Sequence, residues 1–381
     1  MSTETTFSRG LEGVIAAESA LTYIDGQKGT LAYVGIPIEE LAEHSTFEET
    51  AFLLLHRRLP TRAELQRFQE ELASHRPLPE PVVHILKALP RQASPMALLR
   101  TAVSALGHFD PTVDDVSPPA LREKAIKLIS QMATLTAAIG RLRQNHEIIP
   151  PDPTLSHSAN FLFMLTGKKP DAPAARVFDI LLILQADHEF PASTFASLVV
   201  ASTLSDVYSS IAAALGALKG PLHGGASEHV VRMLLEIGDP RRAEPYIKEK
   251  LAKKERIMGF GHRVYKTYDP RARILKRYSQ QLAQQAPEAR LFEIEEIIER
   301  VVIEALGAKG IFPNVDFYSG TVCYYLGIEP ALLTPIFAVS RIAGWMAHMV
   351  EYLADNRLFR PTTRYVGPPI GHYVPLEQRA G

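Results

Sequence analysis

Cysteine is nearly absent from this 381-residue chain: the single one, Cys323, excludes a disulfide framework within the chain and any cysteine-rich metal site, and fits a reducing compartment. It sits in an apolar run with no base nearby in sequence, which reads as packing rather than as a nucleophile. Charge excess is absent too. With 41 Lys and Arg against 42 Asp and Glu, the net charge of −1 lacks the basic surplus of a nucleic-acid surface. An acidic substrate must then be held by local arginines. Met1 to Gly10 is polar and lacks the charged-then-apolar order of an export signal, so the expected location is cytoplasmic. Neither His-Glu-x-x-His nor Cys-x-x-Cys occurs, and the adjacent side chains of Asp187-His188-Glu189 cannot easily converge on one ion, so no metal is expected. Gly259-Phe260-Gly261 lacks the third glycine and preceding strand of a dinucleotide fingerprint. Gly220 to Gly225 lacks the Lys-Ser/Thr of a phosphate loop. No redox cofactor is expected. Asparagine is scarce: four residues beside 28 prolines is a bias found in heat-adapted proteins and produced equally by genomic base composition.

What is present points to a large helical protein. The length exceeds what one core usually serves, which makes two domains the default, and 46% apolar residues supply the material. Leu21 to Val34 alternates apolar and polar around Asp25-Gly26 and reads as a small hairpin. Helix follows helix after it. Thr61 to His75 opens on a capping box, Thr61 with Glu64. Leu121 to Leu142 and Arg176 to Asp187 are further candidates, and Leu291, Ile294, Ile298, Val301 and Ala305 recur at helical spacing before Gly307 as a stop. Ala192 to Leu218 is apolar enough to raise the question of a membrane span, but its Ser and Ala content, with Thr203 and Asp206, reads as a buried helix pair. Asp110 to Pro119 reads as a surface connection. His84 and His157 read as surface or satisfied core residues.

The chemistry lies in three Gly-rich or turn-like segments: Gly220-Pro221-Leu222-His223-Gly224-Gly225, Gly259-Phe260-Gly261-His262-Arg263, and Asn314-Val315-Asp316-Phe317. Removing a proton beside a carbonyl needs a base at the carbon and a hydrogen-bond donor at the oxygen, where negative charge develops. Asp316 suits the base. His223 suits the donor if its ring stays neutral, which a helix N-terminus favours. A carbon acceptor needs its own carbonyl oxygen protonated as the bond forms, a role for His262. The set describes a condensing enzyme. Each residue alone has a plainer reading: His223 in a turn, Asp316 as a helix cap, Arg341 and His348, seven apart, as a polar stripe on one helix. Their joint register favours the functional one.

GPLHGGA, GFGHRVYKTYDPRA, FPNVDFYSG and SRIAGWMAHMVEY, with GLEGVIAAESALTYIDGQKGTLAYVG and Asp187-His188-Glu189 upstream, resemble the citrate synthase family over nearly the whole chain. The resemblance implies an all-α fold with a large helical domain, residues 1–222 and 328–381, and a smaller inserted domain, 223–327, on the coenzyme A side of a cleft that closes over the reactants. It implies condensation of acetyl-CoA with oxaloacetate and hydrolysis of citryl-CoA to citrate, with no metal or redox cofactor and no nucleic-acid or membrane partner. His223, His262 and Asp316 match the family's catalytic residues. Arg271, Arg341 at a helix start opening on Ser340-Arg341, and Arg360 match its carboxylate-binding arginines, the bidentate shape suited to a dicarboxylate, and His188 its oxo-acid histidine. Arg263, Lys266 and Lys309 lie near its coenzyme-binding segments. Phe190-Pro191-Ala192-Ser193-Thr194 stands where some relatives carry glycines. A homodimer is implied, with Arg360 reaching the partner's site. Two alternatives stay open: a 2-methylcitrate synthase using propionyl-CoA, since one methylene is worth only a few kcal/mol, and a non-catalytic metabolite-binding relative.

Overall fold

The alternation at the start of the chain becomes strands β1 (Thr22–Asp25) and β2 (Thr30–Tyr33), antiparallel with Thr22 opposite Tyr33. The structure, a computed structural model, describes residues 7–379; the first six residues of the polar N-terminus and the last two of the chain lie outside it. Asp25 Oδ1 accepts from the N–H groups of Gln27 and Lys28, each at 3.0 Å, which closes the turn. A third strand, β3 (Ile36–Pro37), pairs with β2 and is too short to show as alternation.

Sixteen α-helices follow among the described residues. The first eight are α1 (Ile38–His44), α2 (Phe47–His56), α3 (Arg62–Ser74), α4 (Glu80–Ala88), α5 (Pro95–Leu106), α6 (Pro118–Arg143), α7 (His157–Thr166) and α8 (Ala172–Gln185). The others are α9 (Ala192–Ala201), α10 (Val207–Leu218), α11 (Ala226–Ile237), α12 (Pro240–Ala252), α13 (Pro270–Ala283), α14 (Arg290–Leu306), α15 (Val315–Tyr325) and α16 (Leu333–Leu353). The fold is all-α. The Thr61–Glu64 box forms as read: Thr61 Oγ1 accepts from Glu64 N at 3.3 Å and Glu64 Oε2 from Thr61 N at 2.8 Å. The Ala192–Leu218 run is the pair α9 and α10, packed on each other. Pro330–Leu353, long and apolar enough to cross a membrane, is a core segment with 89% of its apolar window buried, and it packs on α6, α9, α2 and α8. Helices α11 to α15 pack chiefly among themselves and meet the rest through α1, α8 and α16.

Three readings are corrected. Helix α8 starts earlier and ends earlier than Arg176 to Asp187: Asp171 caps it by accepting from Ala174 N, and it stops at Gln185, which leaves Asp187 and His188 in an irregular turn. Helix α14 ends at Leu306 with Gly307 as its C-cap, as read; a 3-10 turn then runs on through Lys309 to Gly310, at φ +73°. The Asp110 to Pro119 connection is at the surface as read except at Asp110 itself, which is 7% exposed and accepts from Tyr208 Oη at 2.5 Å. His157 is buried, yet its Nε2 has no protein partner; burial pushes its pKa down to about 3 and keeps the ring neutral. Cys323 is buried, and burial pushes its thiol up, as befits packing.

Candidate active site

His223 sits in the turn between α10 and α11, its N–H donating to Gly220 O at 2.9 Å. Gly224 is required beside it, because a Cβ there would stand 2.5 Å from Leu218 O. His223 Nε2 meets Ser193 Oγ at 2.8 Å and receives Ser193 N–H at 3.3 Å; Trp345 Nε1–H donates to the same hydroxyl at 3.3 Å. Two donors aimed at Nε2 make it the acceptor, so the ring proton belongs on Nδ1. The ring stays neutral, its pKa pushed down to about 4 by burial and then by the charge of Arg341. Helix α11 begins three residues on, at Ala226, and burial and Arg341 are the causes that lower the pKa.

His262 has the opposite tautomer. Its Nδ1 accepts from Val264 N at 3.0 Å and Tyr265 N at 3.3 Å, which leaves the proton on Nε2. Burial and then Arg271 push its pKa down to about 4. Gly259 and Gly261, at φ +83° and +81°, make the loop that carries it, and Gly259 could hold no side chain because Phe317 lies 2.7 Å from its Cβ position. His188 is stacked edge-on to His262, ring centres 5.1 Å apart, with its Nε2 3.2 Å from Tyr265 Oη. Burial followed by Arg271, His262 and Arg341 keeps His188 neutral.

Asp316 occupies the first turn of α15. Asn314, not Asp316, is the cap: Asn314 Oδ1 accepts from Asp316 N at 3.0 Å while its Nδ2 donates to Gly261 O at 2.9 Å, tying this helix to the His262 loop. The Asp316 carboxylate has no hydrogen-bond donor among the described residues. Burial raises its pKa to about 6, against the pull of Arg271. Arg271, 2% exposed, is held at both ends by Asp269, Nε to Oδ1 at 3.0 Å and Nη2 to Oδ2 at 2.8 Å. Asp269 also accepts from the N–H groups of Arg271 and Val315, so one carboxylate caps α13 and α15 together.

Arg341 is not at a helix start as the sequence reading had it. It lies inside α16, buried, its Nε donating to Gln185 O at 2.8 Å and burial lowering its pKa to about 10. Arg360 is exposed on the tail beyond α16, outside this cluster of its own chain. Arg263, Lys266 and Lys309 are exposed on one rim: Lys266 Nζ donates to Arg263 O at 3.0 Å, and Gly310 packs on the Lys266 backbone. The sequence reading missed Ser193, Trp345, Tyr265 and Asp269. Only Asp269, before Pro270 at a helix start, carried a local signal.

The family model described as "Citrate synthase, C-terminal domain" matches residues 10–362. The citrate synthase of Deinococcus radiodurans is 50% identical over 98% of this chain and 99% of its own length. The citrate/2-methylcitrate synthase of Bacillus subtilis is 44% identical over 95% of this chain and 97% of its own. A citrate synthase from the thermophilic archaeon Thermoplasma acidophilum, solved as a ternary complex with carboxymethyl coenzyme A and oxaloacetate, superposes with a TM-score of 0.94 at 40% identity, covering 98% of this chain and 100% of that one. With the family model matched over residues 10–362 and relatives matched over nearly its full length, the chain belongs to the citrate synthase family.

Proposed function

We propose that this chain condenses acetyl-CoA with oxaloacetate and hydrolyses the citryl-CoA formed to citrate and free coenzyme A. The observation that carries this reading is a carboxylate without a donor, raised to about 6, grouped with two neutral histidines held in opposite tautomers. Asp316 takes a proton from the acetyl methyl group. The charge moves to the thioester oxygen, where the Nδ1–H of His223 donates. The enolic carbon then attacks the keto carbon of oxaloacetate, and the keto oxygen takes its proton from the Nε2–H side of His262. Water then cleaves the thioester. Arg271 and Arg341 hold the substrate carboxylates, and His188 orients the keto acid. Arg263, Lys266 and Lys309 face the phosphates of coenzyme A. Side chains alone carry the chemistry, with acetyl-CoA as a substrate and no resident metal or redox cofactor.

Residues 1–222 with 328–381 form one unit and 223–327 the other, a division supported by the mutual packing of α11 to α15. We place Arg360 in the partner's site of a cytoplasmic homodimer. In support, the tail that carries it exposes Tyr365, Val366, Ile370 and Tyr373, apolar surface that a second copy would cover. Propionyl-CoA is the competing substrate, because the named relatives include a citrate/2-methylcitrate synthase. Thiol release from acetyl-CoA and propionyl-CoA, each with oxaloacetate, separates the readings. A higher kcat/KM for acetyl-CoA is expected. The reverse order would assign 2-methylcitrate synthesis, and no release from either would assign a non-catalytic relative.

A further inference from the structure

Arg341 is a buried guanidinium with no carboxylate within ion-pair distance among the described residues, whereas Arg271 is clamped by Asp269. An unpaired buried cation is costly. The negative charge that does most to offset it is Asp187, itself 0% exposed. Asp187 belongs to the turn after α8, and that turn is stitched to one face of α16. Arg341 Nε donates to Gln185 O at 2.8 Å, Gly344 N to Ala186 O at 3.1 Å, and His348 Nε2 meets Asp187 Oδ2 at 3.0 Å. Thr22 Oγ1, on β1, donates to the same Oδ2, and Tyr33 Oη donates to Asp187 O at 2.9 Å. Among the described residues Oδ1 has no partner, and Gly344 leaves it room, since a Cβ there would stand 2.5 Å from it. The carboxylate whose charge does most to offset Arg341 is therefore tethered by two donors from other elements, and the terminal nitrogens of the guanidinium have no protein acceptor among the described residues.

We propose that His348 and Thr22 are positioning residues that hold Asp187 off Arg341, so that Asp187 supplies a counter-charge without occupying the guanidinium that a substrate carboxylate must reach. This rests on the assignment of Arg341 to oxaloacetate above. Released from its tethers, Asp187 pairs with Arg341 and competes with the substrate. The same geometry gives the next residue, His188, its fixed place, since the turn cannot shift while Asp187 is held from both sides.

The test measures oxaloacetate affinity by calorimetry, beside steady-state kinetics. His348→Leu should weaken oxaloacetate about tenfold, the scale of one charge-assisted contact, and leave kcat at saturation nearly unchanged. Adding Asp187→Asn to His348→Leu should restore most of the affinity, because an amide has no charge to pair with Arg341. A purely structural role gives the opposite order, with the double variant weaker than the single one. Thr22→Val should show a smaller loss and Thr22→Ser should recover it, which keeps the test available if His348→Leu does not fold. Unchanged oxaloacetate affinity in His348→Leu and Thr22→Val, or a double variant no better than the single, overturns the proposal. Thiol release by the parent protein is run alongside. Its absence overturns the reaction itself, whereas its presence with insensitive variants overturns only the tether.

Discussion

Asp316 is a carboxyl whose protonation is set by burial against the charges of nearby arginines, Arg271 foremost, and the pH dependence of turnover should show it. Burial holds it at about 6, while His223 and His262 lie at about 4 and are neutral above that. As pH falls through about 6 the base gains its proton, so kcat/KM for acetyl-CoA at saturating oxaloacetate should fall about tenfold per unit below it. A profile flat down to about 4 would assign the limb to the histidines instead. Of the three proposed catalytic residues, His223 and His262 are legible in sequence because their loops demand glycine, as the closely approached Gly224 and Gly259 at φ +83° do, and Asp316 is marked by the Asn314 cap before it. Residues that act on these are not. Ser193, 30 positions before His223 and 152 before Trp345, has no local feature that marks it; only the folded chain brings the three together.

Helix ends decide where the site residues stand, and both ends of α8 and the start of α16 differ from the sequence reading. Asp171 and Pro173 announce α8, but nothing marks its end at Gln185, so the reading ran two residues into the turn that presents His188. Arg341 was misplaced for a related reason. A 3-10 turn from Pro330 to Leu332 runs straight into α16, which has no side-chain cap to announce it. Asp269 is the joint between elements, capping α13 and α15 and clamping Arg271 at once. Asp269→Asn keeps the shape and removes the charge, leaving a buried guanidinium uncompensated. A loss of about 3–5 kcal/mol in stability is expected, seen as a lower denaturant midpoint with an unchanged slope. An unshifted midpoint would mean that Arg271 finds another partner.

At the scale of the whole molecule, a site shared between subunits would take Asp316 from one chain and Arg360 from the other. Mixing inactive Asp316→Ala and Arg360→Ala proteins and letting subunits reassort then makes hybrids with one intact and one doubly damaged site. About a quarter of parental activity should return, since half the dimers are hybrids with one good site in two. If both residues serve the same chain's site, no activity returns while mass spectrometry of tagged chains still records exchange. The all-α architecture was legible because the motifs span the chain, whereas the proposed place of Arg360 in a partner's site involves a second copy.

The central claim is that Asp316 removes the methyl proton. The most direct measurement is thiol release from acetyl-CoA with saturating oxaloacetate by Asp316→Asn beside the parent protein, with oxaloacetate affinity measured on the same samples. The asparagine keeps the size and loses the base, so kcat should fall about 100-fold or more while oxaloacetate affinity stays at the parental value. Turnover close to the parent's, with oxaloacetate bound as tightly, would contradict the claim.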